Sequence, residues 1–314
     1  MLCLAISKLN YKTYYRFALP LLAVSLCLLV LVFFPGIGLS LKAAHRWLNF
    51  GFTILQPSEI LKITLTVYLA AWLSNKEKGR FLAFLMLLGL SVLLVIAEPD
   101  MGTAVIIAGT ATVVYFLSNA PIRDMVLIFF MFILGIFLLV KLAPYRVERL
   151  ASYQNFDSKD LSSTSYHVKQ ILIALGSGGL FGAGFGNSIQ KYGYLPESTT
   201  DSIFAIFAEE AGFVGSALLI FMFGILITLG FLISLHAPDL FGKLLGAGII
   251  TFIAIQTFAN LASQAVIIPL TGVPLPFISY GGSSLIINLA SIGILLNISR
   301  KEKKILSVKA RRRI

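Results

Sequence analysis

The sequence predicts an all-α polytopic membrane protein of about eight transmembrane helices, with a large extracytoplasmic loop that carries short re-entrant or interfacial helices. Three observations predict it. Of 314 residues, 58% are hydrophobic and only 12% charged, against about 25% charge in soluble domains. Mean hydropathy is +0.91, the reverse of the polar, charge-rich composition that keeps a chain disordered. Eight segments approach the ~20 mostly apolar residues that cross ~30 Å of hydrocarbon, at 17–34, 57–74, 81–97, 101–118, 124–142, 202–235, 244–270 and 283–299. Strict alternation over ~10 residues, the mark of a barrel strand, is absent from them.

The net charge of +11 raises nucleic acid as a partner, but position decides. Of the 25 Lys and Arg residues, 16 fall in alternate connections, eight of them in the tail from Arg300 to Arg313, and seven in the opposite ones. The positive-inside rule then places both termini in the cytoplasm. The basic tail, 301–314, has no aromatic residues to stack on bases and reads as a flank attracted to anionic lipid. Cys3 and Cys27 form no CxxC pair, and His45, His167 and His236 have no metal-ligand spacing.

Along the chain, MLCLAISKLNYK has neither the layout of a signal peptide nor the length of a span. It reads as the end of a helix and predicts that the natural protein or a homologue begins further upstream. The second span opens with QPSEILK, where Pro57 suits a helix start and Glu59 and Lys62 share a face at i, i+3. Lys62 is an intramembrane cation, suited to an ion pair or to an anion. Glu98, Pro99 and Asp100 form a short outer turn in which Asp100 suits the cap of the next helix. Arg146 and Arg149 open the long outer loop, about 143–201, as phosphate ligands or as part of a solvated face.

A loop of that length carries function or its own helices, and its centre, SYHVKQILIALGSGGLFG, has the apolar spacing of a re-entrant or interfacial helix. The glycines at 176, 178, 179, 182, 184 and 186 never satisfy GxGxxG, which excludes a dinucleotide fold. They suit tight turns and close helix packing, or a backbone that approaches a phosphate. Asp201 stands where the loop meets the sixth span, either as a helix N-cap or as a general base at the membrane surface. Glu209 and Glu210, two turns into that span, must face protein or water, with Lys62 or an arginine on another span as the expected partner. The last loop, TGVPLPFISYGGSS, reads as a rigid plug.

The strings QPSEILK, EPDMGTA, GSGGLFGAGFGNS, YLPESTTDSIFAIFAEEAGFVG and PLPFISYGGSS, in this order over about residues 1–300, resemble the SEDS family of FtsW and RodA proteins, the membrane peptidoglycan polymerases. GFGNSIQKYGYLPE is more similar to the FtsW branch. Such proteins have ten spans, and the eight segments here match the last eight, so the resemblance implies one integral membrane domain over 1–300 that lacks the first one to two family helices. Departures are local: Lys42 and Ala43 replace Asn-Gly, Ser202 replaces Phe, and Ala262 and Val266 replace glycines.

The resemblance implies polymerisation of lipid II into glycan strands on the outer face of the bacterial inner membrane, at the division septum. Asp201 matches the essential aspartate and is the implied catalytic base. Arg46, Lys62, Glu98, Asp100, Arg146, Arg149 and Ser283 are the implied substrate-binding residues, with the cations on the pyrophosphate. Glu59, Glu209 and Glu210 are implied to be structural or ion-paired. No cofactor is certain, and the chemistry leaves room for a divalent cation, magnesium or manganese. Implied partners are lipid II, the growing strand, a class B penicillin-binding protein transpeptidase, other divisome proteins and membrane lipid. A lipid-linked precursor flippase and a noncatalytic division scaffold are the alternatives; no internal repeat of the transporter kind is evident.

Overall fold

The computed structural model describes residues 1–34, 38–41, 44–49, 51, 54–75, 79–141 and 163–311. Each of the eight apolar segments is helical. They correspond to α2 (Lys12–Leu31), α3 (Pro57–Leu73), α4 (Phe81–Ala97), α5 (Met101–Leu117), α6 (Ile122–Lys141), α8 (Ile203–Leu235), α9 (Leu240–Gln264) and α10 (Gly282–Arg311). Two further α-helices are α1 (Leu2–Ile6) at the amino end and α7 (Ser163–Ser177) in the long loop, which also holds a 3-10 turn at Gln190–Tyr192. By length and composition four helices are apolar enough to cross a membrane, at Lys12–Leu31, Ile203–Leu235, Leu240–Gln264 and Gly282–Lys301, and α4 and α5 are shorter apolar helices. Burial separates them: the most apolar window of α9 is 72% buried and that of α8 only 17%.

The chain divides into two compact units. The first comprises Met1–Asp124, Leu226–Ile255 and Gly282–Ile314, the second Met125–Ile225 and Gln256–Gly281.

In the first unit α2 packs on α3, α3 and α4 on α5, and α1 on α10. Water-free helix association relies on small residues and interhelical hydrogen bonds, and both are present. Gly248 of α9 lets Thr66 and Val114 approach so closely that a β-carbon there would lie 2.4 Å from Thr66 Cγ2. Ser25 and Thr64 share a 2.7 Å hydroxyl contact between α2 and α3. The amino-terminal segment is fastened to α10 by Asn297, which accepts from the Tyr11 amide at 2.9 Å and donates to the Ser7 carbonyl at 2.8 Å.

One feature of this unit was not foreseen. Between α2 and α3 lies a three-stranded antiparallel meander, β1 (Gly38–Leu41), β2 (Ala44–Asn49) and β3 (Ile54–Leu55). Its longest strand, AHRWLN of β2, does not alternate apolar and polar residues, yet it carries Arg46.

The second unit is built around Ile171, Ala174, Leu195, Ala205 and Ile206, with Leu175, Val266 and Leu270 packed on them. Val266, at a place where the family carries glycine, has φ +55. The preference for glycine there is conformational, because a β-branched residue is strained in the left-handed region.

The main event in this unit is a break in α8. Gly212 has φ 68 and ψ −168, a combination open to glycine alone. An unbroken helix would bond the amides of Phe213 and Val214 to the carbonyls of Glu209 and Glu210. Instead those amides donate to Gly179 and Leu180 at 2.9 and 3.1 Å, and the two freed carbonyls accept from Ala183 and Gly184 at 2.9 and 3.1 Å. The glycine-rich loop is thus spliced into the helix, and all four backbone groups released by the break are satisfied.

Candidate active site

The splice gives Glu209 and Glu210 their partners. Glu209, 3% exposed, accepts from the Ser188 hydroxyl and from the amides of Ile189 and Gln190 at 3.2 and 3.4 Å. Glu210 accepts from the Ser188 amide at 3.3 Å and pairs with Lys191 at 3.0 Å. The expected partner, Lys62 or an arginine of another span, is replaced by the loop's own amides and Lys191, because the break in α8 brings that loop against the two acids.

Lys62 is instead paired with Glu59 at 2.8 Å, with the two side chains 1% and 3% exposed. The i, i+3 spacing on α3 makes this pair, and the Phe252 ring lies 5.9 Å from the ammonium. A buried pair offsets its own desolvation only through good geometry. Replacing both members with Glu59→Gln and Lys62→Met should therefore leave the thermal midpoint of the detergent-solubilised protein within about 1 kcal/mol equivalent of wild type. A larger loss would mean that the charges themselves are required for folding.

Around the α4–α5 turn the chain joins Arg46, Gln56, Glu98, Asp100 and Ser283. Arg46 donates through Nε to the Glu98 carbonyl at 2.9 Å and through Nη2 to the Pro99 carbonyl. Asp100 is the N-cap of α5: Oδ1 accepts from the Thr103 amide at 3.1 Å and Oδ2 from the Thr103 hydroxyl at 2.8 Å. Gln56 Nε2 reaches Asp100 Oδ2 at 3.2 Å, while its amide donates to Ser283 Oγ at 3.2 Å. In this geometry Asp100 and Ser283 hold backbone, and Arg46 ties β2 to the turn. Arg146 and Arg149 lie outside the described residues.

Glu98 is fully buried, and neither carboxyl oxygen has a hydrogen-bond partner among the described residues. Burial, reinforced by the nearby Asp100 charge and opposed by Arg46, pushes its pKa from 4.5 up to about 8. A raised acid stabilises the fold fully below its unfolded value and loses that contribution as pH rises through the folded one. The thermal midpoint should thus fall between about pH 5 and 8 and level off above that, and Glu98→Gln should flatten that fall. A wild-type midpoint that is level across this range would contradict the assignment.

Asp201 precedes α8 by one residue more than a cap would. Ser202 holds the N-cap position, its carbonyl accepting from Ala205 and Ile206 at 3.0 and 3.5 Å, so Asp201 is not the helix cap. The Ser202 hydroxyl meets His167 Nε2 of α7 at 2.8 Å. Gly272 lies against the carboxylate: at φ +68, a β-carbon on it would stand 3.5 Å from Asp201 Oδ2. The Asp201 carbonyl accepts from Asn260 Nδ2 of α9 at 2.8 Å.

Sequence reasoning passed over Gln56, His167, Ser188 and Asn260. Asn260 did leave a signal, since a fully buried amide in the apolar run ITFIAIQTFANLASQ is costly in a membrane unless it has partners. Among the described residues no three His, Cys, Asp or Glu side chains come together to hold a metal ion.

These features define a polytopic helical membrane protein with a loop spliced into one helix and an acid fixed at that helix's head. The family is specific: the family model described as cell cycle protein, of FtsW, RodA and SpoVE, matches residues 1–304, and the chain belongs to this family. It is 40% identical over 301 residues to the stage V sporulation protein E of Bacillus subtilis, covering 94% of this chain and 82% of that one. Over 302 residues it is 37% identical to a probable peptidoglycan glycosyltransferase FtsW of Geobacter metallireducens, covering 94% and 80%. Among solved structures, a chain from a peptidoglycan synthase complex, described for its coordination of polymerisation and crosslinking, superposes with a TM-score of 0.80 at 28% identity, covering 96% and 86%. The rod shape determining protein RodA of Thermus thermophilus gives a TM-score of 0.70 at 28% identity, covering 96% and 83%.

Proposed function

We propose that this chain is a peptidoglycan glycosyltransferase of the bacterial inner membrane that polymerises lipid II on the outer face, with Asp201 as its base. One observation carries the reading of the site. Asp201 stands at the head of α8 against Gly272 of the proline-rich loop, while several other acids are held in structural contacts or sealed. Glu59 pairs with Lys62, Asp100 caps α5, Glu209 and Glu210 anchor the spliced loop, and Glu98 is sealed from solvent. Asp201 is partly exposed and stands one residue ahead of Ser202, whose carbonyl opens α8.

In the reaction the acceptor 4-hydroxyl gives its proton to the Asp201 carboxylate while its oxygen forms a bond to the anomeric carbon of the donor. The bond from that carbon to the lipid pyrophosphate breaks, and the pair of electrons leaves with the pyrophosphate. One base suffices, because pyrophosphate departs as an anion that cations can stabilise, whereas hydrolysis of a simple glycoside calls for a second, acidic carboxyl. Arg46, Arg146 and Arg149 are the cations assigned to that anion, while Lys62 is held in its buried pair with Glu59. The displacement is single and inverts the anomeric centre. A class B penicillin-binding protein transpeptidase is the assigned partner, with cytoplasmic termini and action at the septum.

The test is strand formation from labelled lipid II by the purified chain with its transpeptidase, in moenomycin, which family members resist. Polymer from wild type and none from Asp201→Ala is the expected result. Equal polymer from both would remove Asp201 from the chemistry, and polymer from neither would sink the enzyme reading for this chain.

A further inference from the structure

We infer that Asn260 is a positioning residue that holds the Asp201 carboxylate in place through backbone carbonyls. This rests on the assignment of Asp201 as the base. Three successive carbonyls leading to that carboxylate are each fixed from elsewhere in the same unit. The Tyr280 amide donates to Thr199 O at 2.9 Å, the Ser279 hydroxyl donates to Thr200 O at 2.6 Å, and Asn260 Nδ2 donates to Asp201 O at 2.8 Å. The same Asn260 nitrogen also donates to Val273 O at 2.8 Å, beside Gly272, which lies against the Asp201 carboxylate.

One buried amide therefore staples the turn that bears the base to the proline-rich loop that flanks it. Its other atom, Oδ1, is buried without a hydrogen-bond partner among the described residues. An unpartnered amide oxygen costs free energy at a fully buried site, so a residue selected for stability alone would not be left this way. The two donor protons have specific work, and both act on the walls around Asp201.

A neighbour one turn away supplies the comparison. Gln256 of α9 donates through Nε2 to Pro274 O at 2.9 Å, anchoring the same loop. Placement errors of ~1 Å at a reacting group cost about 100-fold in rate, while loss of a loop anchor is read mainly in stability.

The experiment compares Asn260→Leu, Gln256→Met, Asp201→Ala and wild type, each purified with the transpeptidase, for kcat and KM of lipid II polymerisation and for thermal midpoint. Asn260→Leu should lower kcat about 10- to 100-fold with KM kept within about twofold. Gln256→Met should lower the midpoint by a similar amount and keep kcat within about twofold of wild type. Wild-type kcat in Asn260→Leu, or an equal fall in Gln256→Met, would overturn the positioning role. Polymerisation by Asp201→Ala would instead overturn the assignment of the base, whatever Asn260 does. If Asn260→Leu does not fold, Ser279→Ala carries the same test through Thr200, with the same kcat and KM split expected and wild-type kcat refuting it.

Discussion

Asp201→Asn should reduce glycan-strand formation by about 100- to 10,000-fold, the range that a positioned general base contributes, with the fold and transpeptidase binding retained. The substitution keeps the size of the side chain and removes only its ability to take a proton. It leaves unchanged the bonds that hold the turn through the carbonyls of Thr199, Thr200 and Asp201. The helix cap is likewise unaffected, since it belongs to Ser202. Initial rates on lipid II, with co-purification of the partner as the control, separate three outcomes. Loss of rate with binding kept is the enzyme. Unchanged support of division by a protein that makes no strand in either form is the scaffold. Loss of both would mean that the carboxylate has a structural duty.

The helices were legible because an apolar run of sufficient length has one stable state in lipid, and all eight expected segments are helical. The site was legible in part. Composition left Asp201 between cap and base, and only the resemblance to a family chose the second; the structure removes the cap by assigning it to Ser202. The i, i+3 spacing of Glu59 and Lys62 put both ends on one helix face but left Lys62 between an ion pair and an anion, and the structure shows the pair. Glu209 and Glu210 were different. Their partners, Ser188 and Lys191, lie about 20 residues away and face them only because the chain is spliced back through α8. Backbone pairing of that kind carries no side-chain code, so its sole trace was a run of glycines that also suited turns or a phosphate. The β-meander left still less, for Ile54–Leu55 is too short to show alternation and AHRWLN of β2 does not alternate.

That splice yields the largest expected effect on stability. Gly212→Ala should unseat the glycine loop, lowering stability by more than about 4 kcal/mol, the exceptional range for one substitution. Two causes act together. A β-carbon at φ 68 and ψ −168 is forbidden by its own backbone, and it would stand 2.3 Å from the Gly182 amide nitrogen. Alanine escapes by adopting helical angles, and α8 then heals. The Phe213 and Val214 amides return to Glu209 and Glu210, the four bonds to the loop are lost, and the loop's own amides are left without partners. Glu209 loses Ser188, and Glu210 loses Lys191. Gly182→Ala should do the same from the other side, since its β-carbon would meet the Glu210 carbonyl at 2.1 Å. The control is Gly224→Ala further along α8, where a β-carbon meets nothing within 4 Å and the helix should gain about 0.5–1 kcal/mol. Thermal midpoints of the three variants, with protease cleavage between residues 179 and 194 as the local probe, decide the matter. Early cleavage in Gly212→Ala and Gly182→Ala with resistance in Gly224→Ala is expected. If Gly212→Ala keeps its midpoint and its resistance, the break in α8 is not what seats the loop.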